Sequence, residues 1–329
     1  MNKHNIAILG ANSHISKGLI CGFLRRDDVV LHLYTTSKMK LNPFLLGVNS
    51  NEMEKCVIHD GYGSFPFHVF DVIINCIGVG TAKKLKGNYA NWFVITERYD
   101  NMVLEYLSQK NQEALYVSFS SGAVYGSQWH APAEKTTENC IRVNDVKKED
   151  YYGIARLNAE AKHRAFSNLN IVDLRVFSYF SRFIDLSEEY LMAEIINCAI
   201  TQQKLITNDS NILRDYVGPD NLYALITKCM DRKHLNCALD AISSDPVKKF
   251  ELLEFFKSEY DLSYEIVNDA RNDSATGTKL NYCSNYHNAQ HIGYIPEYSS
   301  IETIKNESKY FFSDIAREKE PNVDLKKTV

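Results

Sequence analysis

The chain has 329 residues, enough for one large domain or two smaller ones, with 45% apolar and 24% charged residues and a formal net charge of −4. That balance gives no footing for nucleic acid or an anionic membrane, and no apolar run approaches bilayer length. The eight cysteines are scattered, with no C-x-x-C pair and no zinc spacing, which predicts buried free thiols, no metal and a reducing cytoplasmic setting.

The five or six apolar residues near the N-terminus are too few for a signal peptide and run straight into a turn. Asn5–Leu9 reads as a strand ending at Gly10. Ile15, Leu19, Ile20 and Phe23 then fall at helical spacing, and Val29–Tyr34 is a second strand. Strand, turn, helix, strand is a βαβ unit with a parallel sheet, and its turn faces a helix N-terminus that favours a pyrophosphate. An ordinary strand-to-helix turn is the alternative. Cys56–His59 is a third strand followed by Asp60, and Asp71–Cys76 a fourth ending at Ile77 and Gly78. Both look like central strands buried on two faces. Asn91–Gln109 is a long helix, with Val94, Arg98, Met102 and Tyr106 along one side. Ala114–Phe119 is a fifth strand that delivers Ser120 and Ser121.

Ser118–Gly126 (S-F-S-S-G-A-V-Y-G) carries a hydroxyl out of that strand, and Tyr151–Glu160 (Y-Y-G-I-A-R-L-N-A-E) reads as the first turns of a helix. Tyr152 and Arg156 are four apart and share a face; Tyr151 lies about 100° round the helix. A free phenol titrates near 10, and a neighbouring cation favours its ionised form. Serine, tyrosine and a cation together suit proton transfer to or from a carbonyl oxygen.

These segments resemble the extended short-chain dehydrogenase/reductases, the nucleotide-sugar epimerase/dehydratase group. Ser120–Gly126 is similar to S-S-x-x-V-Y-G, and Tyr152–Glu160 to Y-G-x-x-K-L-x-x-E with arginine for lysine. Asp173–Ser178, Ile212–Leu222 and His291–Pro296 follow the family's L-R-x-F-N, R-D-F-V-x-x-D-D-L and L-G-W-x-P, in the family's order, and Ser299–Phe311 resembles its terminal helix. The resemblance implies a Rossmann-type doubly wound sheet over 1–177 and about 221–244. It also implies a smaller discontinuous α/β substrate domain over 178–220 and 245–329. Residues 320–328 read as a frayed tail.

It further implies catalysis by Ser121, Tyr152 and Arg156, with the cation also holding the nicotinamide ribose. The cofactor would lie against Gly10, Asn12, Ser13, His14, Ile15, Ser37, Lys38, Asp60, Cys76, Ile77, Gly78, Tyr152 and Arg156. Only the first glycine of G-x-x-G-x-x-G is present; Ser13 and Ser16 fill the other places, with hydroxyls able to bond a phosphate. No carboxylate follows the second strand, and Ser37 and Lys38 suit a 2′-phosphate, which favours NADP(H) with NAD(H) possible. Substrate contacts fall to Ser121, Ser178, Arg214, Tyr216 and Arg271, with Arg214 on the diphosphate of a nucleotide sugar; an ion pair with Asp215 or Asp220 is the alternative for Arg214. Gly122 and Ala123 stand where sugar dehydratases carry an acid and a base. Three readings stay open: 4-ketoreductase, 4-epimerase with tightly held NAD, and non-catalytic dinucleotide-binding protein. A homodimer through Asn91–Gln109 and Tyr152–Phe166 is the expected assembly.

Overall fold

The computed structural model describes residues 3–80, 82–268 and 279–319. In chain order the first half runs β1 (His4–Leu9), α1 (His14–Leu24), β2 (Val29–Thr35), α2 (Lys38–Leu45), α3 (Ser50–Met53), β3 (Cys56–Asp60), β4 (Val72–Asn75), α4 (Ala82–Leu85), α5 (Ala90–Gln109) and β5 (Leu115–Ser121). It continues with α6 (Lys148–Ala165), β6 (Ile171–Val176), β7 (Ser178–Tyr179), α7 (Leu191–Thr201), β8 (Leu205–Asn208), β9 (Leu213–Arg214), β10 (Tyr216–Val217) and α8 (Pro219–Met230). The last elements are β11 (Asn236–Ala241), β12 (Val247–Lys248), α9 (Lys249–Tyr260), β13 (Tyr264–Val267), β14 (Asn281–Tyr282) and α10 (Ser300–Lys319).

Seven strands pair in parallel in the order β11-β6-β5-β4-β1-β2-β3. Alternate residues of β1 feed two cores. Ile6 and Ile8 pack with Leu19 and Phe23 of α1, Leu41 of α2 and Leu225 of α8. Ala7 and Leu9 pack with Phe65, Phe70 and Val103 and Leu107 of α5. Burial on both faces is why these strands read as continuous apolar runs. The strand order reverses between β1 and β4, and that switch point opens a crease at the carboxyl ends of the strands. A third core gathers Ile195, Ile196, Leu253, Phe256 and Ile304 from α7, α9 and α10.

Several expectations shift. β3 lies at the sheet edge, not the centre, and its five residues are half-buried or exposed. α6 begins three residues before Tyr151, at Lys148, because Asp150 accepts from the Lys147 N–H and closes the first turn; Tyr152 therefore sits in the second turn. The terminal helix extends to Lys319. All eight cysteines are unpaired, but Cys21 and Cys140 are exposed. Residues 320–328 and Arg271 lie outside the described residues.

Candidate active site

The turn after β1 closes on itself. Gly10 has φ +75°, and a Cβ there would meet Ile77 and the Cys76 carbonyl carbon at 3.1–3.2 Å, so only glycine lets the turn pass this close to the end of β4. Ser13 caps α1, its Oγ accepting from the Ser16 N–H at 3.1 Å. The fully buried Ser16 hydroxyl lies 3.0 Å from the Gly10 carbonyl and 2.8 Å from that of Ser13. The two serines thus bond within the turn, where the sequence had suggested hydroxyls facing a phosphate. Asn12 donates from Nδ2 to Thr35 Oγ1 and to the Ser37 carbonyl, tying the turn to the end of β2. His14 opens α1 edge-on to Tyr179 at 4.9 Å, and burial together with Lys84 and Lys17 pushes it down to about 4, so it is neutral at pH 7. Ile15, half-buried, packs against the adjoining core. Ser37 precedes α2 and Lys38 opens it on the surface, while Asp60 ends β3 exposed. Burial raises the Cys76 thiol, which Ser13 faces.

The opposite wall carries Ser121 and Tyr152. Ser121, buried at the end of β5, accepts from the Ala123 N–H at 3.2 Å and lies 3.0 Å from the Tyr282 hydroxyl. Burial raises the Tyr282 phenol, and the nearby Tyr152 pushes the same way, so Tyr282 keeps its proton at neutral pH and either hydroxyl can donate to the other. In the arrangement where Tyr282 donates, Ser121 keeps its own proton for a third group. A Cβ on Gly153 would stand 2.3 Å from the Ala123 carbonyl oxygen; glycine there lets α6 lie directly on the turn after β5 and sets Tyr152 beside it. Tyr152 packs on Trp92 with ring centroids 5.6 Å apart. The Arg156 guanidinium lies 5.3 Å from the Tyr152 ring, donates to the Phe119 carbonyl at 3.0 Å and presses on Gly78. Gly122 is covered by the Phe177 ring, which a Cβ would meet at 2.4 Å. No acid can stand there without displacing that ring.

Behind this wall runs a buried web. Ser120 Oγ donates to Glu160 at 2.6 Å, and Arg175 grips Glu160 in a fork of 2.7–3.2 Å. Arg175 also donates to the Tyr125 hydroxyl at 2.8 Å; Tyr125 and Ser284 in turn donate to Asp240.

Arg214 lies half-buried beside Tyr282, pairs in register with it, and donates to the Leu213 carbonyl at 2.8 Å. The carboxylates that competed for it are engaged elsewhere. Asp220 pairs with Arg25 at 2.8 Å, and Asp215 accepts from the Ser243 N–H at 2.9 Å. Lys279 Nζ sits 4.2 Å from the Tyr282 ring centroid, and burial with the field of Arg214 pushes it down to about 7. Ser178 pairs with Tyr216, whose ring is buried in the core under α7 and α9 with its phenol in the field of Arg214. The structure thus brings Ser121, Tyr152, Arg156, Gly78 and Arg214 around one crease, and adds Tyr282 and Lys279. Tyr216 faces the core.

The crease fits a dinucleotide. Asn12 Oδ1, His14 Nδ1 and Arg156 Nε are each buried without a hydrogen-bond partner, and all three belong to the crease. Such atoms are rare in a folded protein and cost about 1–3 kcal/mol each unless a ligand or water serves them. The α1 N-terminus and Lys17 supply a positive field beside them.

A model of the NAD dependent epimerase/dehydratase family matches residues 63–238, more than half of the chain. The chain belongs to that family. A search of curated proteins finds no match. Among solved structures, this epimerase/dehydratase family member is similar to a UDP-N-acetylglucosamine 4-epimerase from Methanobrevibacter ruminantium, with TM-score 0.77 and 15% identity over 95% of this chain and 100% of that one. It is similar to a UDP-glucose 4-epimerase from Thermotoga maritima, with TM-score 0.76 and 15% identity over 94% and 99%. It is also similar to a dTDP-glucose 4,6-dehydratase from Streptomyces venezuelae, with TM-score 0.73 and 13% identity over 96% and 99%. At these identities the likeness shows the Rossmann-type fold. Among the described residues no helix is long and apolar enough to cross a membrane.

Tyr282 and Lys279 escaped the sequence reading because Ser121 and Tyr282 are 161 positions apart. Nothing local marks a phenol in a two-residue strand as a partner for a distant serine.

Proposed function

We propose that this family member transfers hydride at a single carbonyl carbon, C4, of a nucleoside-diphosphate sugar, most simply reducing a 4-keto sugar with NADPH. The observation that carries the reading is the pairing of Ser121 with the Tyr282 hydroxyl at 3.0 Å, beside Tyr152, in a pocket where Phe177 fills the place of a second acid. Those groups serve one oxygen, and none removes water across a neighbouring bond.

When bound, the dinucleotide supplies hydride. On the chain's side, Tyr282 donates to Ser121, and Ser121 donates its own proton toward the substrate oxygen and holds it. Tyr152 gives its phenolic proton as that oxygen gains negative charge. Arg156 steadies the resulting phenolate through its field. Arg214 suits the diphosphate, and Lys279 beside it, pushed down to about 7, is drawn toward its charged form by a bound diphosphate and adds a second contact. The chain divides accordingly: 1–177 with 221–244 holds the dinucleotide, and 178–220 with 245–329 holds the sugar nucleotide. The absence of a carboxylate after β2, with Lys38 at the surface there, favours NADP(H). The protein acts as a cytoplasmic homodimer through α5 and α6, in polysaccharide or deoxysugar synthesis.

A 4-epimerase is the second reading, favoured by the fold shared with the two 4-epimerases above. Incubation of purified protein with NADPH and 4-keto nucleotide sugars tests the first: NADPH loss with formation of a 4-hydroxy sugar supports it. Retained NAD with interconversion of unreduced sugars turns the assignment to epimerase. A biological activity left untouched by Tyr152→Phe would leave only a binding role.

A further inference from the structure

At the far edge of the sheet, away from Ser121, three imidazoles converge. His32 points from β2 toward the edge, His59 from β3, and His68 from the segment that joins β3 to β4. One ligand nitrogen of each lies within 4.8 Å of the other two. His32 Nδ1 and His59 Nε2 are 3.0 Å apart, and the two rings stack at 14°. The His68 ring lies 5.0 Å from each of the others. Tyr34 stacks on His59 at 4.2 Å and Phe70 meets His32 edge-on, so aromatic walls close the cluster from the core side.

We propose that His32, His59 and His68 form a site for one divalent transition-metal cation of the zinc class. Three imidazoles with no carboxylate among them suit a borderline cation and not calcium or magnesium, which take oxygen ligands. In a tetrahedral site with Zn–N of 2.0–2.1 Å, neighbouring ligand nitrogens stand about 3.3 Å apart. His32 and His59 already sit at 3.0 Å, and His68 closes by about 1.5 Å at most from its 4.8 Å limit. The backbone around it is fixed: the Tyr106 hydroxyl bonds both the His68 carbonyl and the Phe70 N–H. That leaves side-chain rotation as the adjustment needed.

His59 also carries the outer contact that metal-bound histidines use. Its Nδ1 lies 2.9 Å from Ser64 Oγ, so a proton on Nδ1 donates to Ser64 and leaves Nε2 free to ligate. In that arrangement His32 Nδ1–H donates to His59 Nε2, and for the metal to bind the His32 proton moves to its own Nε2, both rings staying neutral. A fourth position is left for water. The bound ion would staple β3 to the segment carrying Phe65 and Phe70, next to Asp60 and the end of β2. It would brace the wall of the crease farthest from Tyr152.

Titration of the full chain with Co(II), read by its visible bands, and with Zn(II), read by calorimetry, tests the site. One equivalent is expected to bind and to raise Tm. His68→Gln and His59→Gln should each weaken binding at least about tenfold, while His234→Gln, at an exposed turn, should not. Imidazole ¹⁵N spectra of the unmutated protein provide a check independent of whether the variants fold: three of the ten histidines should shift together on adding Zn(II). No saturable uptake by the unmutated chain, affinity unchanged in both ligand variants, or shifts confined to other histidines would each overturn the proposal.

Discussion

Behind Ser121 and Tyr152 lies a continuous buried web of charge, whereas the turn around Gly10 is held by hydroxyls and amides that bond to backbone nearby. The first wall draws on residues far apart in sequence: Ser120, Tyr125, Glu160, Arg175, Asp240 and Ser284. The second is nearly self-contained, Ser13 and Ser16 closing on Gly10 and Asn12 reaching only to Thr35 and Ser37. On the proposed assignment, the wall that must hold reacting groups to a fraction of an ångström is the cross-braced one. One that offers backbone N–H groups to a phosphate needs only the right turn, which serines can close without the second and third glycines. The matched family span, 63–238, takes in most of the first wall's web and begins after the Gly10 turn.

The sharpest way to break this division is Tyr152→Phe. Loss of the proposed proton donor should lower kcat by about 10²–10⁴-fold, the usual worth of a general acid, with dinucleotide affinity by fluorescence titration unchanged. A parallel loss of cofactor affinity would show that the two walls are not separate. Next in size is Glu160→Ala. It removes the fork on the Arg175 guanidinium and leaves it the Tyr125 hydroxyl and the more distant Asp240 carboxylate at 3.6 Å, and urea unfolding should register a loss of about 3 kcal/mol, the low end for a broken buried pair.

The same wall has a second web, in which His163 is clasped between Asp100 at 2.7 Å and Asp173 at 2.8 Å. The two carboxylates outweigh burial and raise His163 to about 9. Its folded pKa lies above its unfolded value near 6.5, so the stabilisation is full below pH 6.5 and is lost as pH rises through about 9. The change is on the order of 3 kcal/mol at 1.36 kcal/mol per unit. Urea midpoints across that window should fall for the unmutated chain and stay flat for His163→Gln. Smaller again is Gly153→Ala, whose Cβ would strike the Ala123 carbonyl oxygen at 2.3 Å. Overpacking of about 1–3 kcal/mol is expected, and kcat should fall with it because Tyr152 rides on the displaced turn of α6.

The contrast also explains what could be read from the sequence. β1, β2, β4 and β5 announce themselves because burial on both faces makes them unbroken apolar runs. Ser121, Tyr152 and Arg156 stand in short motifs whose spacing survives in the fold. β3 misleads because five residues are too few to separate an edge strand from a central one. Ser120, Glu160 and Arg175 are visible as motif letters, but their mutual grip joins three elements and has no local signature. The His32–His59–His68 cluster is hidden for the same reason, its rings arriving from two strands and a connecting segment.

The mildest test concerns the wall that departs from the family's glycines. Ser16→Ala removes a hydroxyl that is fully buried and bonded to the Gly10 and Ser13 carbonyls. A lost hydrogen bond of this kind costs about 1 kcal/mol, visible as a slightly lower urea midpoint. The hydroxyl is turned into the turn, so dinucleotide affinity should change by less than about threefold, under 0.7 kcal/mol. A tenfold or larger loss, with the same small change in stability, would mean that Ser16 turns outward to the phosphate when the dinucleotide binds. The turn would then be reorganised by its ligand, and the contrast between a braced wall and a self-closing one would hold only for the free protein.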